Sequence, residues 1–503
     1  MKSKVVSQLI LLCCFLIALF YFSLTPLLPD SKYQWTMMIL TAIGTISFFI
    51  IQKEQYGKFH WLSITTIFIF GYFIVFYQMI LLNLVGYEVP NMFFSFIWAG
   101  ENVINRSLGI STLGLLAFYL GMSNFKKYKS NKVITRENKE TATNSITFIL
   151  FFAYLFYVMF LLNSGSYIYG EYTPDDASGA AAYFYKLFNV SLIAAIVVKV
   201  SYITSLNITE LSYKKYLSYF RWPLLVLLSW HIIFSLFVGD RGPVIFLVLI
   251  SSGIYFIRWG KVKLHQAIIG IFILSIVMTL IGEIRQNRFS GAGYGERVVS
   301  AFTSFGASDK TSKKFDEYVP GDQTIELALS VRTLNHAIYN VPDKYDYMYG
   351  LFQLKYFYSI IPGLAGKINM ILFDGEKKFD GSSNFVTYLI QGEHPSSGEG
   401  SSIVADFYLD FGVVGVIIGL FLFGLFVSKN EYKLFSGYQR PTFLWITTLM
   451  FFANALYVNR SALLLILSNV VLIYVMIRIN AMFVSHFRSN GRKHIPKSIQ
   501  GNL

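Results

Sequence analysis

Charge is scarce in this sequence. Charged residues fill 14% of the 503 positions, where a soluble globular chain carries about 25%. The length would suit two or three soluble domains, but this composition excludes them. Cysteine is almost absent. Its two copies, Cys13 and Cys14, are adjacent, so no CxxC motif and no disulfide framework can be assembled. No phosphate-cradling Walker loop, Rossmann glycine pattern or HExxH occurs. No His-rich or Asp-rich cluster has the spacing of metal ligands. The links between apolar runs that carry most of the basic residues are too short to hold a catalytic domain. ATP-driven or divalent-metal chemistry of a cytoplasmic enzyme is therefore not expected.

What the sequence has in abundance is apolar surface, with 54% hydrophobic residues. Twelve runs are long enough to cross a bilayer, which takes roughly 17–25 residues. They lie near 5–28, 35–51, 61–85, 106–123, 145–163, 182–205, 222–239, 242–258, 264–282, 403–427, 441–458 and 460–481. The expectation is an all-α polytopic membrane protein of about twelve transmembrane helices. Lys2 and Lys4 before the first run resemble a signal peptide. The run is too long and lacks a small-residue cleavage site, so it reads as an uncleaved span.

The net charge of +14 does not indicate nucleic acid, because the basic residues occupy alternate short links rather than one face. One set holds Lys2 and Lys4, Lys53 and Lys58, Lys126 to Lys139, Lys214 to Arg221, Arg258 to Lys263, Lys429 to Arg440, and the 488–497 tail. The other set is sparse in basic residues or acidic, as in GEYTPDDASG with Glu171, Asp175 and Asp176. The positive-inside bias then puts both termini in the cytoplasm and the long polar interval outside. This predicts residues 1–282 as nine spans, 283–402 as an extracytoplasmic cap, 403–482 as three spans, and 483–503 as a basic cytoplasmic tail. In the cap, 323–339 has helical apolar spacing, with Arg332 and His336 on one face. The stretch 349–373 is apolar but broken by Lys355, Pro362 and Lys367. It reads as one or two short interfacial helices.

Charged residues at the expected external rim are the candidate chemistry. Arg241 sits in the turn GDRGP between two runs that nearly touch. It either completes a turn with Asp240 and Pro243 or binds an anion. Arg285 and Arg288 share a helix face just past the ninth run, and Arg460 sits in the YVNRS link. Each could anchor a span end. Together they could bind a diphosphate, since guanidinium donates paired hydrogen bonds to phosphate oxygens. His394 lies in a Gly/Ser/Pro-rich segment, as a surface residue or a general base, and Glu399 is an alternative base. Asp406 and Asp410 flank Tyr408 where the tenth run begins. The acids either complement the helix macrodipole or, with Tyr408, hold sugar hydroxyls.

The layout, the segment VGDRGPVIF at 238–246 and the run SSIVADFYLDFGVVGVIIG at 401–419 resemble the Wzy-type repeat-unit polymerases of O-antigen and capsule synthesis. The resemblance implies a GT-C-like membrane enzyme without cofactor or metal. It would join undecaprenyl-diphosphate-linked oligosaccharides at the external face of the bacterial plasma membrane. Arg241, Arg285, Arg288 and Arg460 would then bind the donor diphosphate, and His394 or Glu399 would serve the acceptor hydroxyl. A chain-length regulator and a flippase are the implied protein partners. Two rivals share much of this layout. One is an O-antigen ligase, of the same topology. The other is a flippase, which would instead concentrate charge at the bilayer midplane and show two related halves.

Overall fold

The computed structural model describes residues 2–57, 60–87, 91–123, 145–165, 179–206, 208–238, 241–260, 296, 299, 322–361, 363–435 and 441–493. The ninth apolar run, at 264–282, and Arg285 and Arg288 lie outside the described residues. The described residues are 82% helical, with no strand among them. In chain order the first helices are α1 (Lys2–Ser23), α2 (Ser31–Tyr56), α3 (Ile64–Leu84), the short α4 (Asn91–Trp98), α5 (Glu101–Ser123), α6 (Thr147–Asn163) and α7 (Gly179–Ser205). Then come α8 (Tyr213–Ser218), α9 (Trp222–Val238) and α10 (Arg241–Val248), the last continued by π-helical turns at Leu249–Gly253 and Phe256–Gly260.

Among the described residues, seven helices are long and apolar enough to cross a membrane: Lys4–Ser23, Ser31–Tyr56, Ile64–Leu84, Phe93–Ser123, Ala180–Ser205, Ile403–Phe435 and Leu463–His486. Shorter apolar helices at Thr147–Asn163, Trp222–Leu236, Gly242–Gly253 and Phe443–Asn454 coincide with further apolar runs. The chain is a multi-pass, all-helical membrane protein. Local signals set the helix ends. Asp30 accepts from the amides of Lys32 (2.7 Å) and Tyr33 (3.2 Å) to cap α2, and Ser63 caps α3 through Thr66. Such side chains satisfy amides that the first helical turn leaves without a partner.

Between the two halves of the membrane part lie the cap helices α11 (Asp322–Ala328), α12 (Val331–Asn340), α13 (Leu351–Tyr358), α14 (Leu364–Phe373) and α15 (Ser382–Gln391). The expected helix at 323–339 is thus two helices, broken at 329–330, and the apolar stretch 349–373 is α13 and α14. The chain returns through α16 (Ile403–Asn430), α17 (Tyr432–Phe435), α18 (Phe443–Asn454), 3-10 turns at Tyr457–Arg460 and Leu463–Ile466, and α19 (Leu467–Lys493).

The centre of the molecule is the pair α5 and α16. Within its most apolar window α5 is 89% buried, against 22% for α1, so α5 is a core helix and α1 a peripheral one. The two helices run parallel, Gly114 meeting Leu420 and Val416, and Gly121 meeting Leu425. Glycine sits where the backbones come closest. A β-carbon on Gly121 would strike the Phe421 carbonyl, and one on Gly424 would strike the Phe118 carbonyl. Between membrane helices such small residues let the backbones approach for dispersion contact. Around the pair, hydroxyls substitute for water: the Tyr72 hydroxyl donates to Ser111 O (2.8 Å), and Tyr77 bonds Thr112 (3.1 Å).

The cap docks on one end of this pair. Thr324 of α11 donates to Gln78 of α3 (2.8 Å), and Asn335 of α12 donates to the Ile97 carbonyl of α4 (2.8 Å). The amides of Met348 and Tyr349 donate to the carbonyls of Leu409 and Asp410 (2.9 and 3.0 Å). The α16 backbone is non-helical at Phe411 and Gly412, the latter at φ 63°. This kink divides α16 into a buried first piece beneath the cap and a longer apolar piece.

Candidate functional site

The cap meets the membrane helices along residues 391–410, and the expected site residues divide into two groups there and a dispersed third. In the first, Ser402 caps α16 by accepting from the Ala405 amide (3.2 Å). The irregular segment before it passes beside the 3-10 turn that ends in Arg460. Gly400 has φ +77°, and a β-carbon there would lie 3.8 Å from the Arg460 carbonyl oxygen. One residue earlier, Glu399 enters a nearly buried ion pair with Arg332 at the start of α12. The side chains are 5% and 18% exposed respectively.

Arg332 Nε donates to Glu399 Oε2 at 2.7 Å, and Nη2 donates to the same oxygen. Gln391 donates to Glu399 Oε1, and the Glu399 amide donates to Thr387 Oγ1 (3.0 Å). The guanidinium also donates through Nη1 to the Leu329 carbonyl (3.2 Å) and lies 4.8 Å from the centre of the Phe96 ring. Both carboxylate oxygens of Glu399 are therefore engaged, while part of the donor set of Arg332 is not. Ser401 Oγ is buried with no hydrogen-bond partner. A buried polar atom without a partner is uncommon in folded proteins, which makes this corner a place where a polar ligand would find unused bonding capacity. Arg460, partly exposed, makes no side-chain hydrogen bond or ion pair among the described residues.

The second group is Asp406, Tyr408 and Asp410, all fully buried. Asp410 accepts from the amides of Phe352 (3.2 Å) and Gln353 (3.0 Å), so it caps α13, whose own N-cap residue is Gly350. Asp406 accepts from Gln353 Nε2 (2.6 Å). The Tyr408 hydroxyl donates to the Val341 carbonyl (3.0 Å) and its ring meets Tyr347 edge-on. One acid thus receives the positive end of a cap helix, and the next turn receives that helix's first side chains.

The third group is dispersed. His394 is exposed, within the run 392–398 that is exposed throughout. Arg241 opens α10, and its side chain lies outside the described residues, as do Arg285 and Arg288. Among the described residues there is no group of three or more His, Cys, Asp or Glu able to hold a metal.

Two cations escaped the sequence reading of the site. Arg332 stood out only for sharing a face with His336, and that face docks on α4: His336 Nε2 lies 3.1 Å from the Phe96 carbonyl. Burial holds the His336 pKa below its ordinary value, with the Arg332 charge adding to the effect and backbone bonds opposing it. Arg106, in the second turn of α5, is close enough to Tyr408 for its charge to act on that hydroxyl. It lies at the start of an apolar run, the same signal that drew attention to Arg460.

The family model described as "O-antigen polysaccharide polymerase Wzy" matches residues 6–487, nearly the whole chain. No curated protein and no solved structure matches it.

Proposed function

The chain belongs to the O-antigen polysaccharide polymerase Wzy family, and from that premise we propose that it polymerises undecaprenyl-diphosphate-linked oligosaccharide repeat units by glycosyl transfer at the external face of the plasma membrane. At the level of the family it is an O-antigen repeat-unit polymerase whose substrates are lipid-linked oligosaccharides in a membrane. The proposed topology has twelve spans in a GT-C-like arrangement, both termini cytoplasmic, and the cap of residues 283–402 outside. A chain-length regulator and a flippase belong to the same proposal.

The observation that carries the mechanism is the junction between the Glu399–Ser401 segment and Arg460. It combines a fixed guanidinium, a second guanidinium without a partner among the described residues, and a buried hydroxyl with unused bonding capacity. Breaking a sugar–diphosphate bond moves negative charge onto the leaving diphosphate, and guanidinium groups held in place stabilise that charge as it forms. We assign the diphosphate to Arg460 with Arg241, Arg285 and Arg288, and add Arg332. This chemistry draws on arginine rather than on a metal ion. His394 is the proposed base for the acceptor hydroxyl. Glu399, with both oxygens occupied, is proposed to position Arg332. Asp406, Tyr408 and Asp410 are proposed to brace the cap through their bonds to cap residues, with the second oxygen of Asp406, buried without a hydrogen-bond partner among the described residues, left to a sugar hydroxyl.

The test is reconstitution of the full chain with a polyprenyl-diphosphate-linked oligosaccharide, reading product length on a gel. The expected outcome is a ladder that Arg460→Ala and Arg241→Ala abolish while both variants keep the parental melting profile. Absence of a ladder from the parent chain, with transbilayer movement of the lipid-linked unit, would replace this reading with a flippase. Single transfer to a second acceptor without a ladder would replace it with a ligase.

A further inference from the structure

Helix α14 is anomalous for a helix in a folded cap: none of its residues is buried. Its sequence is LAGKINMILF, and Met370 and Ile371 are 66% and 79% exposed, with Leu372 also exposed. The neighbouring helix α13 and the turn after it expose Leu354, Phe357 and Ile361. Soluble surfaces seldom carry contiguous apolar area of this kind unless something covers it.

The surface is continuous with an exposed apolar row on a helix long enough to cross the membrane. Gly350, the residue before α13, lies against the Phe411 ring, which a β-carbon there would approach to 2.9 Å. Phe411 is itself exposed and heads a row on α16 of Val414, Ile418 and Leu422, all exposed on a helix that crosses the membrane. The apolar face of the cap therefore begins where the lipid-facing row of α16 ends. Helix α14 is joined at both ends through left-handed backbone, Gly363 at φ 80° and Asp374 with Gly375 at φ 52° and 77°. These sharp turns set it off from the packed part of the cap. Lys367, within the helix, has a stem long enough to carry its ammonium to headgroup level while its neighbours sit lower.

We propose that α13 and α14 form a monotopic arm whose apolar face is seated in the hydrocarbon of the bilayer leaflet on the cap's side. Its occupant is lipid, rather than water or a second copy of this chain. The arm carries the helix that Asp410 caps and that Gln353 ties to Asp406, so bilayer contact and the cap–membrane junction are mechanically one unit. This inference rests on the multi-pass placement of α16 and not on the polymerase reading.

The test places a nitroxide label at single cysteines in full-length protein with Cys13→Ser and Cys14→Ser, reconstituted in phosphatidylglycerol/phosphatidylethanolamine nanodiscs. The sites are Ile371→Cys, Ile418→Cys as a lipid-facing reference, and Lys377→Cys as an exposed reference. Each variant is kept only if its melting profile matches the parent's. The expected result is that the label at 371 relaxes readily with oxygen and poorly with a water-soluble nickel chelate, as at 418 and opposite to 377. A label at 371 that behaves like 377 would overturn the proposal in favour of a solvated arm. Dipolar broadening at 371 that disappears on dilution with unlabelled protein would overturn it in favour of a second copy.

Discussion

Replacing Glu399 with alanine tests whether the junction is held by the ion pair rather than by apolar packing. The substitution removes the acceptor of two Arg332 bonds and one Gln391 bond. It leaves a guanidinium that is 18% exposed without its counter-charge. Removing one partner of a buried pair costs about 3–5 kcal/mol, because the remaining charge stays desolvated. Arg332 retains some water access and its bond to Leu329, so the lower end applies, about 3 kcal/mol. In a chain of this size that energy shows poorly in a global melting point. It shows in local opening, since segments open in cooperative units with their own free energies. At 1.4 kcal/mol per decade, 3 kcal/mol is on the order of a 100-fold rise in amide exchange over residues 387–402. Helix α5 should be unchanged. Arg332→Ala should raise exchange less, because the carboxylate it leaves still has Gln391, and the double variant should cost less than the sum. Exchange in 387–402 within threefold of the parent would refute the argument and show that packing alone holds the segment.

Three further expectations follow from single features. Gly424→Leu forces a side chain against the Phe118 carbonyl of α5; it should destabilise by about 1–3 kcal/mol, measured as a lower detergent melting temperature, whereas Gly366→Leu on the open α14 should not. Asp410→Ala removes the acceptor for the Phe352 and Gln353 amides; losing a cap costs about 1 kcal/mol, seen as faster exchange confined to 351–358. His336 has a pKa depressed by burial from 6.5, so the unfolded cap binds the extra proton first as pH falls. Its contribution is therefore complete above about 6.5 and is lost as pH drops below that value. Melting curves from pH 8 to pH 5 should fall on the acid side for the parent and flatten in His336→Gln.

Much of the fold was legible because membrane helices announce themselves by length and apolarity, and those two properties are local. The runs at 61–85 and 403–427 became α3 and α16 within a few residues. The kink at Phe411 and Gly412 was less so. A glycine inside an apolar run has several readings, and only the cap segment crossing it, with Tyr347 against Gly412, selects one. The candidate site divided along the same line. Arg460 could be singled out because a cation at a span end is locally unusual. Glu399 could be noticed but not understood, since its partner Arg332 is 67 positions away and no periodicity links them.

Asp406 and Asp410 show how a local observation can leave a partner unseen. Their spacing of four fixes a shared helix face from sequence alone, and buried carboxylates at that position must be compensated by something. Sequence offers only the helix's own dipole or an outside ligand as compensation. The structure supplies a third source, the amides at the start of α13 and the Gln353 side chain. Those amides exist as free donors only because the residue that precedes α13 is Gly350, with no capping side chain of its own. The two features complete each other, a helix start lacking an acceptor and a helix face with an excess of them. Neither explains itself from its own segment, so the brace between cap and membrane could be read only once the two were seen together.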